Sequence, residues 1–407
     1  MVTSIKIKLS IFLTIFLFCL SNISLASDEI VIGAPLALTG PYASDGAHAW
    51  YGIQIAMDDL NMGGGLLGKQ VTAIKFDTQD FAPERVMLAA DQLIGLKKVD
   101  TIHAGFAGWG QDVRAYGKYE VPTFLMDAAS HAVDVWKEDP VKYSNIFQMA
   151  DVEKKIAERL FHNMNGIPYD YPKKTIAIVT SDDAWGMGTA DGLIAAAANG
   201  WKIVLKEAVP YGTTEWGPIM TKIRSLKPGW IHFEVMGVAE PATFIRQFRK
   251  KPTQTLVNLG FGFSIPDLAS NLGKLTNGVM GQAPSIPDPP PTPEFAAWAD
   301  RYEKKFGNRP DAGITYQTYK GVMVWADAVK AVGNHKDYAA INAYLQKNKF
   351  KTLLGRYIHF NEEQTVPVEY DPIGLLQGQR SVVKTISIEP GVILHGQKFM
   401  LPPWIKK

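Results

Sequence analysis

The chain has 407 residues, 46% of them hydrophobic and 20% charged, an ordinary globular balance at a length suited to two domains. Its 42 basic and 40 acidic residues nearly cancel, which gives no electrostatic reason to expect nucleic acid or an anionic membrane as partner. Cys19 is the only cysteine, which excludes a disulfide framework.

Residues 1–26 stand apart. Lys6 and Lys8 precede the largely apolar run 9–20, and Ser24, Leu25 and Ala26 supply small residues at a cleavage position. This is the pattern of a secretory signal peptide, with an uncleaved anchor as the alternative. The apolar core is short for a membrane span. Phe18 is too bulky for a lipoprotein cleavage site before Cys19. Removing Lys6 and Lys8 from the basic residues balances the acidic ones. An exported, cysteine-free chain suggests a bacterial periplasm or cell surface.

The apolar run 30–34 is a strand of the kind a parallel sheet buries on both faces. A turn at Thr39-Gly40-Pro41 follows, then a helix with Ala49, Ile53, Ala56, Met57 and Leu60 on one face. The loop 42–46 between them lies off the carboxyl end of the strand, where open α/β sheets bind ligands. An ordinary connection fits the same residues. Further strands are expected at 71–76, 101–104 and 121–126. Between them Pro83 opens a helix with Val86, Ala90, Leu93 and Ile94 inward. Asp151 is placed to cap a helix carrying Val152, Ile156, Leu160 and Met164.

The pattern then restarts. A strand at 175–179 leads into the loop 181–188 and a helix through 193–198, which Gly200 suits as a stop. Strands at 201–205, 230–235 and 256–259 alternate with helices carrying Ile219, Ile223 and Leu226, then Phe244 and Phe248. Two such series predict two α/β lobes with parallel sheets and helices on both faces. Residues 283–294 are proline-rich and should be extended, as a surface loop or a recognition ligand. Helices return at 294–306, 316–332 and 338–346, and the tail from Gly355 alternates short strands with turns.

Gly63, Gly65 and Gly68 satisfy G-x-G-x-x-G, but they follow a helix and precede a strand, the reverse of the dinucleotide fingerprint. No phosphate loop, nucleophile elbow or H-E-x-x-H is present, and the eight histidines lack metal-ligand spacing. His103 and His131 fall near the expected cleft, as polar lining or satisfied core. Asp58-Asp59 and Glu362-Glu363 read as solvated faces. No catalytic residue, metal or cofactor is expected.

Binding features are better represented. Residues 105–110, GFAGWG, follow a strand and precede a possible helix. Their N–H groups could hold a carboxylate at the helix start, or form a flexible turn. Ala128, Ala129 and Ser130 follow the next strand, and residues 182–186 follow the first strand of the second lobe. These loops would meet across a cleft. Tyr42, Trp109 and Trp185 supply aromatic walls or lobe core, each worth roughly 1.5–3 kcal/mol when buried.

On residues 35–46 (PLALTGPYASDG), 61–68, 182–188 (DDAWGMG), 239–249 and 316–332, the chain resembles the type I periplasmic solute-binding proteins of the branched-chain amino acid ABC transporter family. The resemblance spans essentially the whole mature chain. It implies an α/β fold of two Rossmann-like lobes with parallel sheets, joined by a three-crossover hinge that closes on a ligand, a motion known for periplasmic binding proteins. The lobes implied are 27–147 with 277–354, and 148–276 with 355–407. By position it places the carboxylate-binding loops at Ala107, Gly108 and Trp109 and at Ala128 to Ser130, and the second lobe's aromatic at Trp185.

Two departures matter. Where relatives often carry a serine, this chain has Ala107 and Gly108. Where amino-acid binders place an acid for the ammonium, residues 260–263 (GFGF) are apolar, with Phe261 facing the site. An unpaired ammonium there would be costly, so a small carboxylate, aromatic in type, is expected over a simple amino acid; Asp183 is the acid left to serve an ammonium. The expected function is extracytoplasmic capture of a small organic solute by a monomer, for an ABC permease in the inner membrane. A sensory ligand-binding subunit and a secreted α/β enzyme are the alternatives.

Overall fold

The computed structural model describes residues 29–105, 110–126, 129–198, 200–235, 237–264, 266–283, 290–310, 313–368, 374–379, 382–386 and 399–406. The expected signal peptide lies outside them. Among the described residues no helix is long and apolar enough to cross a membrane.

The first apolar run forms β1 (Ile30–Leu36), which is buried along nearly its whole length. It sits between β2 (Val71–Asp77) and β3 (Thr101–Ala104), with β4 (Thr123–Leu125) and β5 (Ile146–Gln148) beyond. The order is β2-β1-β3-β4-β5 and every pairing is parallel. Helices α1 (Ala43–Met62), α2 (Pro83–Ala90), α3 (Gln111–Tyr116) and α4 (Ser130–Glu138) join these strands. A π-helical turn, Asp91–Leu96, extends α2 and keeps Leu93 and Ile94 inward, as the spacing predicts.

The second unit repeats the plan. Strands β6 (Thr175–Ser181), β7 (Lys202–Val209), β8 (Trp230–Glu234), β9 (Leu256–Asn258) and β10 (Met280–Ala283) stand in the order β7-β6-β8-β9-β10, again parallel. Around them lie α5 (Glu153–Gly166), α6 (Ala184–Ala197), α7 (Gly217–Leu226), α8 (Ala239–Lys250) and α9 (Pro266–Leu272). Helix α6 ends at Ala197 with Ala198 as its C-cap, and Gly200, at φ 100°, lies just past it. Helices α10 (Pro293–Phe306), α11 (Ile314–Val332) and α12 (Tyr338–Lys347) return to the first unit, followed by a small hairpin, β11 (Phe350–Lys351) and β12 (Tyr357–Ile358). The chain ends on the second sheet with β13 (Gly374–Gln379) and β14 (Val382–Ile386), both antiparallel. The two α/β units with parallel sheets are as expected; only the tail strands β13 and β14, which turn back on one another after a short link, add antiparallel pairings at the edge of the second sheet.

Two cores cover the faces of the first sheet. One gathers Ile30, Ile32, Ile53, Trp298, Tyr302 and Trp325; the other gathers Ile102, Val113, Tyr116, Leu125, Trp136 and Ile146. Trp216, Trp230, Phe233, Phe244 and Phe248 fill the second unit. The chain passes between the two units after β5, after β10 and before β13. The last two passages differ from the division implied by the sequence. Residues 280–283 pair with β9 in the second sheet rather than beginning the return at 277. Ile358, Phe360 and Val366 pack in the first core, and Thr365 bridges Gln148, so the final passage comes after 366 rather than at 355. Asp151 does not cap α5 either; Val152 holds that position without a side-chain bond. The Asp151 carboxylate instead accepts from Val152 N at 2.8 Å and from Val368 N at 3.2 Å, tying the first passage to the last.

Candidate ligand site between the lobes

Both five-strand parallel arrays follow the order 2-1-3-4-5, which reverses direction between the first and third strands. Ligands of such sheets bind off the carboxyl ends at that reversal. Here the two edges meet. Tyr42 of the first unit lies 5.3 Å, ring to ring and edge-on, from Tyr211 of the second. The Ser44 hydroxyl donates to Asp267 at 2.5 Å, and His48 Nε2 stands 3.6 Å from the same carboxylate.

On the first rim, Tyr42 is the N-terminal flanking residue of α1 and is 8% exposed. Its ring also packs on Phe81 at 5.2 Å. Phe81 and Gln79 both take left-handed backbone angles, at φ 61° and 56°, a conformation that costs energy in non-glycine residues. Asp77 holds the two loops together. Its carboxylate accepts from Leu38 N at 2.9 Å, from Gln79 N at 3.0 Å and from the Thr39 hydroxyl at 2.7 Å. Burial pushes that carboxyl upward, but the Thr39 hydroxyl and the main-chain donors outweigh it and hold it below its ordinary value.

On the second rim, Asp183 caps α6, accepting from Gly186 N at 2.7 Å through Oδ1. It is 8% exposed, and Oδ2 has no partner of normal hydrogen-bond geometry. Tyr211 still feels it. Burial pushes the Tyr211 hydroxyl far above its ordinary value, and Tyr42 and Asp183 push it further. Burial does the same to Tyr42. Both phenols are therefore neutral donors. Glu240 accepts from Gly212 N at 3.0 Å and so orients the turn that carries Tyr211. Trp185, in the first turn of α6, lies 5.9 Å from Phe261, and both pack on Ile156 and Val368. The Trp185 indole N–H is buried without a partner.

The structure thus brings Tyr42, Asp183, Trp185 and Phe261 to one cleft. Ala107, Gly108, Trp109 and Ala128 lie outside the described residues. Ser130 is present, but its role differs from expectation: its N–H donates to Glu153 Oε2 at 2.7 Å. Glu153 reaches across from α5 and is 2% exposed; burial pushes its carboxyl up, against the opposing pull of Ser130. Residues 43–46 and 184–188, expected as loops, are the first turns of helices, because each helix begins as soon as its chain leaves the strand edge. His103 is core, not cleft. It stacks on Phe124 at 4.8 Å, and burial pushes it down to about 3. His131 is exposed on α4. Gly64, Gly65 and Gly68 all have positive φ in the turn that leaves α1, a structural use of the glycine run.

Several participants carried no sequence signal. Phe81 and Tyr211 follow strand ends but sit in no motif; Glu240 falls in the stretch 239–249 that carries the resemblance, which assigns it no role. Beneath Phe261, His232 Nδ1 lies 3.0 Å from Asn258 Oδ1, which also accepts from Gly260 N at 2.9 Å. His232 Nε2 lies 3.3 Å from Glu234 Oε2, and Glu234 Oε1 accepts from Phe261 N at 3.4 Å. This buried network fixes the turn that presents Phe261.

A family model described as periplasmic binding protein matches residues 29–370. The chain belongs to that family. Among curated proteins, the Leu/Ile/Val-binding protein BraC3 of Rhizobium johnstonii is 25% identical over 337 residues, covering 82% of this chain and 88% of that protein. The branched-chain amino acid transporter substrate-binding protein LivJ of Streptococcus pneumoniae, solved with isoleucine, superposes with a TM-score of 0.75 at 18% identity, covering 89% of this chain and 100% of the other. A solute-binding protein of an ABC transporter from R. palustris, solved with benzoate, gives 0.73 at 18% identity, covering 88% and 96%. The α/β fold of a type I periplasmic binding protein is shared throughout.

Proposed function

We propose that the protein captures a small organic solute between its lobes and presents it to an inner-membrane ABC permease. The observation that carries this reading is the meeting of the two strand edges around Tyr42 and Tyr211, 5.3 Å apart, with Asp183 beside them. A site split between two hinged bodies binds tightly only when they close. A ligand then shifts the population by its differential affinity for the closed form. The relatives support the class: BraC3 is named for leucine, isoleucine and valine, and the two solved neighbours hold isoleucine and benzoate. Tyr42, Asp183, Trp185 and Phe261 are the contacts we assign here, together with Ala107, Gly108, Trp109 and Ala128, which the resemblance assigns and which lie outside the described residues. The protein acts as a monomer in the periplasm, exported by its first 26 residues, and returns its ligand unchanged. A thermal-shift screen of amino acids, aromatic acids and small amines tests the reading, paired with small-angle scattering. A rise in midpoint with a contraction of the particle is expected. No shift with any small solute would reject it.

A further inference from the structure

The charge of the cleft narrows the choice of solute. The described residues that leave the strands at this edge are 37–46, 78–82, 105, 110, 126, 129–130, 149–153, 182–186, 210–216, 235, 237–240 and 259–264. By sequence they contain no Lys or Arg. They contain acids instead, and Asp45, Glu153, Asp183 and Glu240 are each more than nine-tenths buried. In a chain of nearly balanced charge this is a local bias. Arg85, the guanidinium nearest Phe81 in sequence, turns onto the Phe76 ring and the Asp77 carbonyl. Lys154 is exposed beside Glu153, and His48 faces Asp267 at the rim.

Two contacts sharpen the point. Ser130 N–H, the main-chain donor that the resemblance assigns to a ligand carboxylate, is already used by Glu153 Oε2 at 2.7 Å. Asp183 Oδ2 is buried with no partner of normal hydrogen-bond geometry; the neutral Tyr211 hydroxyl lies against this carboxylate, with the Tyr42 ring and, two residues on, Trp185 beside it. Among the described residues of these segments a carboxylate would meet like charges and no lysine or arginine, and burying it there would be unfavourable; the buried Lys320 of α11 donates to the Met149 carbonyl at 3.4 Å. An ammonium would meet the reverse: a carboxylate and several aromatic faces, the combination that stabilises a buried organic cation.

We propose that the solute is a small organic ammonium with an apolar body, its charge held by Asp183, and that Glu153 is the specificity residue that fills the carboxylate position and turns free carboxylates away. This rests on the solute-capture reading above. A neutral hydroxyl or carbonyl on the same solute would give the Trp185 N–H its acceptor.

Isothermal titration of the purified protein with choline, phenethylamine, benzoate and L-leucine tests it. At least one ammonium probe should bind tenfold or more tightly than benzoate and L-leucine. Asp183→Asn keeps an acceptor for Gly186 N–H but loses the charge; it should weaken the ammonium probe tenfold or more at an unchanged thermal midpoint. Glu153→Gln keeps an acceptor for Ser130 N–H and should raise benzoate affinity about tenfold. The inference is overturned if benzoate or L-leucine binds the wild type most tightly, or if Asp183→Asn leaves ammonium binding intact. In the first of these cases solute capture still stands. If none of the four binds, this inference fails; whether solute capture fails with it is read from the wider thermal-shift screen.

Discussion

The same strand–turn–helix entrance is built once in each lobe, and the two copies differ in what they place at the helix start. Between β1 and α1 there are six residues, and the last, Tyr42, offers no side-chain acceptor to the helix. Between β6 and α6 there are two, and the last, Asp183, caps it. In each first turn a glycine faces the chain just beyond or at the strand's end. A Cβ on Gly46 would fall 1.8 Å from the Ala37 carbonyl oxygen, and one on Gly186 would fall 2.5 Å from that of Ser181. The first lobe therefore gives its helix start to an aromatic ring and the second to a charge. The cleft needs both. The asymmetry extends to α4, whose start has no side-chain cap of its own. Glu153 supplies an acceptor there from the other lobe, so closing the lobes also completes a helix cap.

The largest expected effect comes from a buried acid in the first lobe that has one carboxylate oxygen without a partner. Asp112, near the start of α3, is 3% exposed, and its Oδ2 has no hydrogen-bond partner. Burial pushes its carboxyl up to about 7. A raised carboxyl favours the folded state only while protonated. Its contribution is present below the unfolded value near 4 and is lost as pH rises through about 7. Asp112→Asn, always neutral, should match the wild type at pH 4 and gain on it by up to about 1.4 kcal/mol per pH unit toward pH 7. Urea unfolding across that range checks this; a constant difference would reject it. Next in size is Gly46→Ala, in which a methyl meets main chain. Overpacking of this kind costs roughly 1–3 kcal/mol or more. Gly186→Ala should cost less, because its contact is longer and the Ser181 hydroxyl can turn away. Thermal midpoints of the two variants give the order directly, and equal losses would mean that the two entrances are equally tight.

Much of this frame was legible in the sequence because buried parallel strands are plain apolar runs. Residues 30–34, 101–104, 175–179 and 230–235 announce themselves by composition, and Pro83 and Gly200 mark a helix start and stop where they are found. The helix starts at Ala43 and Ala184 were hidden because Ser-Asp-Gly and Asp-Asp-Ala read as turns; packing against the strand end overrides that preference. Within the cleft, Tyr42, Asp183 and Trp185 could be placed by their position after strands, and Phe261 only through the resemblance. Glu153 could not. A glutamate in the first turn of an amphipathic helix reads as solvated, and only the approach of the second lobe buries it against Ser130. Phe81 was hidden for a different reason, since nothing in its neighbours signals a left-handed backbone. The passage near 283 coincides with the proline-rich stretch 283–294, which reads as a surface loop; the one near 366 lacks a composition signal, and tertiary pairing alone places it.

If the two rims share one ligand, a large aromatic from the second should matter to affinity. Trp185→Ala removes a half-buried indole that stacks near Phe261 and whose N–H lacks an internal partner. Affinity for the bound solute should fall at least about tenfold, which is ~1.4 kcal/mol. Titration calorimetry on whichever solute binds reads this, and unchanged affinity would remove Trp185 from the site.

The smallest effect divides the two duties of Asp183. As a cap it bonds Gly186 N–H, and losing such a cap to alanine costs about 1 kcal/mol. Asparagine caps as well as aspartate, so in the absence of ligand Asp183→Ala should unfold at lower urea than the wild type, with Asp183→Asn close to the wild type. Tyr42, at the matching place in the first lobe, makes no cap, and Tyr42→Phe should leave α1 as stable as before apart from the hydroxyl's contact with Tyr211. If Asp183→Asn instead loses as much stability as Asp183→Ala, the charge and not the cap holds that helix start. The carboxylate would then be committed to its own lobe and could not be the group that waits for a ligand.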